Sequence, residues 1–319
     1  MFDKELLAKI DALAEEIKDL RRDFIARNRH LHGHTSTVIR SERARIDTGT
    51  QRLLAEMYRQ KAEDGIILPF REVEFSNYSQ SADDGVLHYI YSLVGTQSKR
   101  ALEICSGIGM ECNAANLILH HGWAGLLIEG DENRHKQARS FFGRHFAPPH
   151  MPNLMNIWVD RETIGEIVSK VGYGGDIDLL SLDMDGVDYW ILEALLKVTS
   201  PRVMILETQL AWGPEMARTV HYASDFQADR KQHQGDGSGF LYAGASVAAF
   251  QKLGRQHGYR LVGKVGVIGP NTIFLREDVG AEYFPEIDAA SLYDDIPQGY
   301  MDHYAGYRQV GEDYDWVEL

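Results

Sequence analysis

From about residue 84 onward, short apolar runs alternate with stretches of helical period, and this pattern limits the fold more than any other feature of the chain. Candidate strands are 100–105, 124–129, 156–160, 178–183, 202–208, 260–265 and 271–276, with helix-period segments between them. Such alternation predicts a Rossmann-like, doubly wound, mostly parallel seven-stranded sheet with helices on both faces. The last two strands are joined only by "GVIGP", which is too short for a parallel crossover, so one of that pair runs antiparallel near the C-terminal edge.

The fourth strand carries the densest chemistry. In "LLSLDMDGVDYWILEAL" (179–195) a run suited to a doubly buried strand ends in Asp183 and Asp185, and a helix pattern through Val187, Ile191 and Leu195 follows at once. Ligands collect outside the carboxyl ends of strands in open α/β sheets, which places both aspartates where chemistry is done. Two carboxylates this close repel unless something positive sits beside them, although either one can also cap the helix. Tyr189 and Trp190, on that helix, read as core. The first strand ends in "ALEICSGIGMECN" (101–113), with Glu103 on the strand and Gly107 and Gly109 in a turn where a ligand can lie against backbone. A dinucleotide fingerprint wants a third glycine where Cys112 stands. The second strand ends "LLIEGDE", which sets Glu129 where a carboxylate can accept two ribose hydroxyls.

Composition removes several alternatives. With 319 residues, 44% of them hydrophobic, the chain can bury a large core, and no apolar run approaches the roughly 18 residues of a membrane span. The N-terminus lacks the basic-then-apolar layout of a signal peptide, so a cytoplasmic location with no membrane partner is expected. Cys105 and Cys112 share one short loop and read as packing residues. A net charge of −14 argues against a general nucleic-acid partner. Twelve acids face Arg308 alone from Glu277 to the end, yet the tyrosines there and Trp316 predict that part of this tail packs.

Three regions are expected: a helical N-terminal region over 1–65, a catalytic domain over 66–280 and an acidic, aromatic tail over 281–319. In the first, Leu6, Ile10, Leu13, Ile17, Leu20 and Phe24 form an apolar seam, for which docking on its own domain and homo-oligomerisation both stay open. A second helix is predicted over about 47–62 with Leu53, Leu54 and Met57 inward. The arginines from Arg21 to Arg45 read as a solvated face in preference to a polyanion site. His30, His32 and His34 alternate in a loop context, which favours no metal.

Taken together, Glu103, the glycine turn, Glu129 and "DIDLLSLDMDG" resemble the class I S-adenosylmethionine-dependent methyltransferases. The likeness is nearest to FkbM-type and related proteins, through "FSNYSQSADDGVLHYI" (75–90), "ECNAANLILHHGWAGLLIEGD" (111–131), "DLLSLDMDGVDYW" (178–190), "PRVMILETQ" (201–209) and "YAGASVAAFQKLGRQHGYRLVG" (242–263). It implies S-adenosylmethionine as cofactor, with Glu103 near the methionine amino group and Ser106, Gly107 and Gly109 under the methionine and ribose. It further implies Glu129 on the ribose hydroxyls, Asp160 closing the third strand beside the adenine, and Asp183 facing the sulfonium. The chain departs from such relatives at "SADDG", at Thr208-Gln209 and at His221, all toward the acceptor side.

A methyltransferase must bring a nucleophile in line with the methyl and take its proton. Asp183, Asp185 and Glu207 at adjacent strand ends offer a Mg²⁺ site that would acidify a hydroxyl. The competing base is a histidine, His221 or His233, in the long segment 210–240. Tyr242 is a further aromatic placed to reach the pocket or to be buried beside it. The expected reaction is O-methylation of a small-molecule or glycan acceptor, a sugar or natural-product hydroxyl. A non-catalytic assembly module with this fold is the alternative, and a nicotinamide-dependent oxidoreductase a weaker one, opposed by Cys112.

Overall fold

A computed structural model describes residues 45–147, 150–228 and 242–319. The elements that follow all lie in one compact unit, residues 46–319. The seam Leu6–Phe24, the histidines His30, His32 and His34, the arginines before Arg45, and His233 lie outside the described residues. No described helix is long and apolar enough to cross a membrane.

Seven strands form the sheet: β1 (Arg100–Ile104), β2 (Ala124–Glu129), β3 (Asn153–Asn156), β4 (Gly175–Leu182), β5 (Thr199–Glu207), β7 (Tyr259–Lys264) and β8 (Asn271–Arg276). Their spatial order is β3-β2-β1-β4-β5-β8-β7. β3, β2, β1, β4 and β5 pair parallel, and β8 runs antiparallel to both β5 and β7, as the short 266–270 link requires. A small second sheet pairs β6 (Arg218–Val220) with β9 (Trp316–Glu318), so the C-terminal tail does pack.

Strand alternation sorts the core into two layers. Leu102, Ile104, Leu180, Leu182, Met204 and Leu206 point to one face, where they meet helices α5 (Ile164–Lys170), α6 (Asp188–Leu195) and α7 (Val247–Gln256). Ala101, Leu179, Val203 and Ile205 point to the other. That face is covered by α2 (Asp83–Val94) and α3 (Ala115–His121), with Tyr58 of α1 (Thr48–Glu63) and Phe142 of α4 (Glu132–Gly143). Tyr189 is core, as predicted, and Trp190 packs beside it with its indole N–H donating to the Val220 carbonyl.

Two local expectations are corrected. The third strand occupies 153–156, not 156–160: the Asn156 amide donates to the carbonyls of Glu129 and Gly130 and ends the ladder, and Ile157 and Val159 pack against the core as loop residues. Asp160 therefore lies beyond the strand it was expected to close. The second helix forms over 48–63, but Leu53 and Met57 face outward (74% and 38% exposed). Its inward face is Gln51, Ala55 and Tyr58, because fully buried Gln51 exchanges amide hydrogen bonds with Asn116 on α3. This helix and the C-terminal segment both belong to the compact unit that carries the sheet.

Candidate functional site

Register and pleat build the site. β4 pairs with β5 through Leu182↔Leu206, so the next residues, Asp183 and Glu207, stand side by side on the face that carries α2 and α3. One oxygen from each of Asp183, Asp185 and Glu207 lies within 4.8 Å of the others. Glu207 forms a hydrogen bond with Asp183, and burial, then the Asp183, Asp185 and Asp188 charges, push its carboxyl well above the usual range. The geometry thus gathers three of the residues read from the sequence.

Asp188, which sequence reasoning missed, shapes this loop. Buried at the start of α6, it accepts from the Met184 and Gly186 amides at 2.7 and 2.9 Å, holding Asp185 in left-handed backbone at φ +54°. Burial raises its carboxyl to about 6. Asp83, at the start of α2, was missed as well: fully buried, it accepts from Asn271 Nδ2 at 2.8 Å, and Asn271 faces Glu207 across the β5–β8 ladder. The first aspartate of "SADDG" and a strand asparagine thus back the cluster. Only the antiparallel register reveals this.

The turn after β1 lies beside the cluster. Its backbone is left-handed at every second residue, Cys105, Gly107, Gly109 and Glu111. A side chain at Gly109 would meet the Phe141 ring, its Cβ only 2.5 Å from Cδ1, so glycine is required there on two counts. Glu103 directs its carboxylate into this turn: Oε1 accepts from the Asn113 amide at 2.9 Å, and Oε2 from Ala114 at 2.8 Å and the Cys112 thiol at 3.1 Å. Burial lifts Glu103 to about 7 despite these donors. Ser106 is buried, its amide donating to the Ile128 carbonyl. Burial pushes both cysteine thiols up, which suits packing residues and not thiolate nucleophiles.

Glu129 ends β2 almost fully buried, accepting from Gly107 N at 2.9 Å through one oxygen and Asp131 N at 2.8 Å through the other. Each carboxylate oxygen keeps a further lone pair for a ligand hydroxyl. Asp160 accepts from the Thr163 amide and hydroxyl, both at 2.8 Å, ahead of α5. His221 follows β6 with its ring Nε2 3.2 Å from Asp315 of the C-terminal segment and more than half its side chain exposed. Tyr242 links the same region, accepting from the His221 amide, donating to the Asp315 carbonyl and stacking on Tyr314. Neither His221 nor Tyr242 is part of the three-carboxylate group. A cavity of about 500 Å³ lies elsewhere, between residues 67–74, the end of β7 and residues 283–295, and no candidate site residue lines it.

No family model matches the chain, and no curated protein does. Solved structures of similar course include the magnesium protoporphyrin IX methyltransferase of Synechocystis PCC 6803 with S-adenosylmethionine bound (12% identity, covering 76% of this chain and 91% of that one, TM-score 0.35). They also include an O-methyltransferase for tomaymycin synthesis from Streptomyces achromogenes in complex with S-adenosylmethionine (15%, 76% and 96%, TM-score 0.40). A third is an S-adenosylmethionine-dependent methyltransferase from Clostridium acetobutylicum (9%, 70% and 97%, TM-score 0.37).

Proposed function

We propose that this chain is an S-adenosylmethionine-dependent methyltransferase that methylates a hydroxyl of a small-molecule or glycan acceptor. The observation that carries the reading is the meeting of three acidic side chains, Asp183, Asp185 and Glu207, near a glycine turn held by buried Glu129. Bound S-adenosylmethionine supplies an activated methyl group on a cationic sulphur. The site suits a cation: the charges acting on Glu207 are all carboxylates. Gly109, where a side chain would strike Phe141, lets the turn pack against that ring in left-handed backbone.

In this reading Glu129 takes the ribose hydroxyls on its spare lone pairs while its bonds to Gly107 and Asp131 fix its orientation. Glu103 holds the glycine turn in shape through Asn113 and Ala114. Asp183, Asp185 and Glu207 would hold Mg²⁺, whose Lewis acidity lowers the pKa of a bound hydroxyl. The oxygens already converge, and displacing the proton between Asp183 and Glu207 would complete the ligand set. Asp188 keeps the aspartate loop from relaxing as that charge changes.

Calorimetric titration of the folded chain with S-adenosylmethionine and S-adenosylhomocysteine tests the proposal. Saturable binding of both is expected. A folded preparation that binds neither removes the reading and leaves a non-catalytic module of this fold.

A further inference from the structure

The opposite end of the sheet carries a cavity of opposite charge. It encloses about 270 Å³ between α1, α2 and α3 and the residues that lead into β1 and β2. Lys99 and Trp123, which line it, immediately precede those two strands, so it lies at the amino ends whereas Glu103, Glu129, Asp183 and Glu207 lie at the carboxyl ends. At roughly 30 Å³ of liquid volume per water it has room for a small organic anion.

Its lining carries three cationic side chains, Arg52, Arg59 and Lys99, and two imidazoles. Arg52 and Arg59, two turns apart with Ala55 between them, come from one face of α1; His88 comes from α2, His121 from the end of α3, and Lys99 from the loop. No aspartate or glutamate lines the cavity. Arg52 makes no ion pair among the described residues, Arg59 pairs only with exposed Glu56 outside the lining, and the Lys99 ammonium reaches just the His121 carbonyl at 3.3 Å. Arg52 and Lys99 thus bring positive charge to the cavity of a chain of net charge −14 with no acidic partner in its wall.

The two imidazoles are held in place from behind. Gln51 and Asn116 exchange amide bonds, which fixes Gln51 Oε1 as an acceptor, so His121 donates to it through Nε2 at 2.7 Å. The His88 Nε2 donates to the Gln51 carbonyl at 2.8 Å, and the rings stack at 5.1 Å. Each ring's Nδ1 makes no hydrogen bond among the described residues, and His88 is nine-tenths buried. Burial first, then the charges of His88, His120, Lys99 and Arg52, hold His121 down to about 4, so its ring is neutral near pH 7.

We infer that this cavity binds a phosphate group, as the free ion or as a small phosphate ester, at a site remote from the candidate methyl-transfer centre. Arg52, Arg59 and Lys99 line one small volume, and such planar charge-assisted donors and a point charge suit a tetrahedral anion. Buried Tyr91 and Trp123 form its inner wall and would face the organic body of an ester. The inference does not depend on the methyltransferase reading.

The test is calorimetric titration of the full chain with inorganic phosphate and, separately, with phenyl phosphate, at ionic strength held constant with chloride. Saturable binding at one site is expected, weakened about tenfold or more in the Arg52→Gln/Arg59→Gln double variant. Both arginines are exposed, so the melting temperature without phosphate should match the parent; the single Arg52→Gln variant is the milder substitute should the double one fold poorly. Lys136→Gln/Lys170→Gln, which removes two surface cations placed elsewhere, should leave affinity unchanged. Tighter phenyl phosphate identifies an ester, and equal affinities identify the ion. Absence of saturable binding to either probe, unchanged affinity in the arginine variants, or equal weakening in the lysine pair overturns the site.

Discussion

Asp183 and Glu207 share a hydrogen bond between carboxyl groups at the ends of neighbouring parallel strands. Two carboxyls can bond only if one keeps its proton. Burial is the larger reason that Glu207 keeps it, and the Asp183 charge the next. The folded chain therefore carries at this point a proton that the unfolded chain gives up above the ordinary glutamate value of about 4.5. Buried Glu103, raised to about 7, and Asp84 and Asp188, each raised to about 6, act in the same direction.

The consequence is a stability that falls as pH rises. For acids with raised folded values, the native state binds more protons than the unfolded one between the two pKa values, so the slope of unfolding free energy with pH is negative. The contribution is fully present below about 4 to 4.5 and is lost progressively as pH passes through about 6 and 7. In metal-free buffer the melting temperature should therefore decline from pH 5 to pH 8. Magnesium or calcium should raise it more at pH 8 than at pH 5, because the ion competes with the shared proton. Glu207→Gln should abolish most of the metal effect. A melting temperature that climbs over this range without metal contradicts the assignment.

Glu129→Ala should weaken S-adenosylmethionine binding by about 1–3 kcal/mol, the scale of losing hydrogen bonds to a charged group. Because Glu129 also accepts from Gly107 and Asp131, the variant should lose some thermal stability as well. Glu129→Gln keeps one acceptor oxygen and should fall between the two. Titration of the three proteins decides the point, and equal affinities would place the ribose elsewhere.

Much of this site was legible because its supports are local. Parallel strands buried on both faces appear as apolar runs, and the residues ending them, Glu129, Asp183 and Glu207, follow from where the runs stop. The third strand was misplaced because Ile157 and Val159 keep the alternation of a strand after Asn156 has ended the ladder. Leu53 and Met57 misled because an apolar residue on a helix reads as inward, whereas the inward side of α1 is organised around buried Gln51. Asp83 and Asn271 lie 188 positions apart and meet only through the β5–β8 register, which composition does not encode. The packed tail was foreseeable from its aromatic content. Its partner strand, β6, was not.

Metal and histidine routes to a deprotonated acceptor separate cleanly in a methyl-transfer assay with a surrogate polyol. Chelation with EDTA should abolish turnover, and Asp183→Asn should reduce it far more than cofactor affinity. His221→Ala should keep activity within a few-fold, because its ring is largely exposed and paired with Asp315. A general base would instead contribute about 10²–10⁴-fold. Full turnover in EDTA together with a loss of that size in His221→Ala assigns proton removal to the histidine.

The C-terminal segment offers the sharpest test of how the region from Trp212 to Tyr222 is held. Trp316 on β9 meets Trp212 edge-on at 4.8 Å and Tyr242 at 4.9 Å, and its indole N–H donates to the Gly311 carbonyl at 2.8 Å. Trp212 lies five residues beyond Glu207, while Tyr242 binds the His221 amide. One side chain thus ties the tail to both segments that flank the candidate centre. Trp316→Ala should cost about 2–4 kcal/mol, near the lower end for removing a packed tryptophan, since Trp316 is only partly buried. Trp316→Phe, which keeps a ring for Trp212 and loses the indole donor, should cost less. Urea unfolding of the three proteins measures the difference, and hydrogen exchange at residues 218–222 should rise in Trp316→Ala as β6 loses its partner. A cost below about 1 kcal/mol, with exchange unchanged, would mean that the tail lies on the domain without holding it.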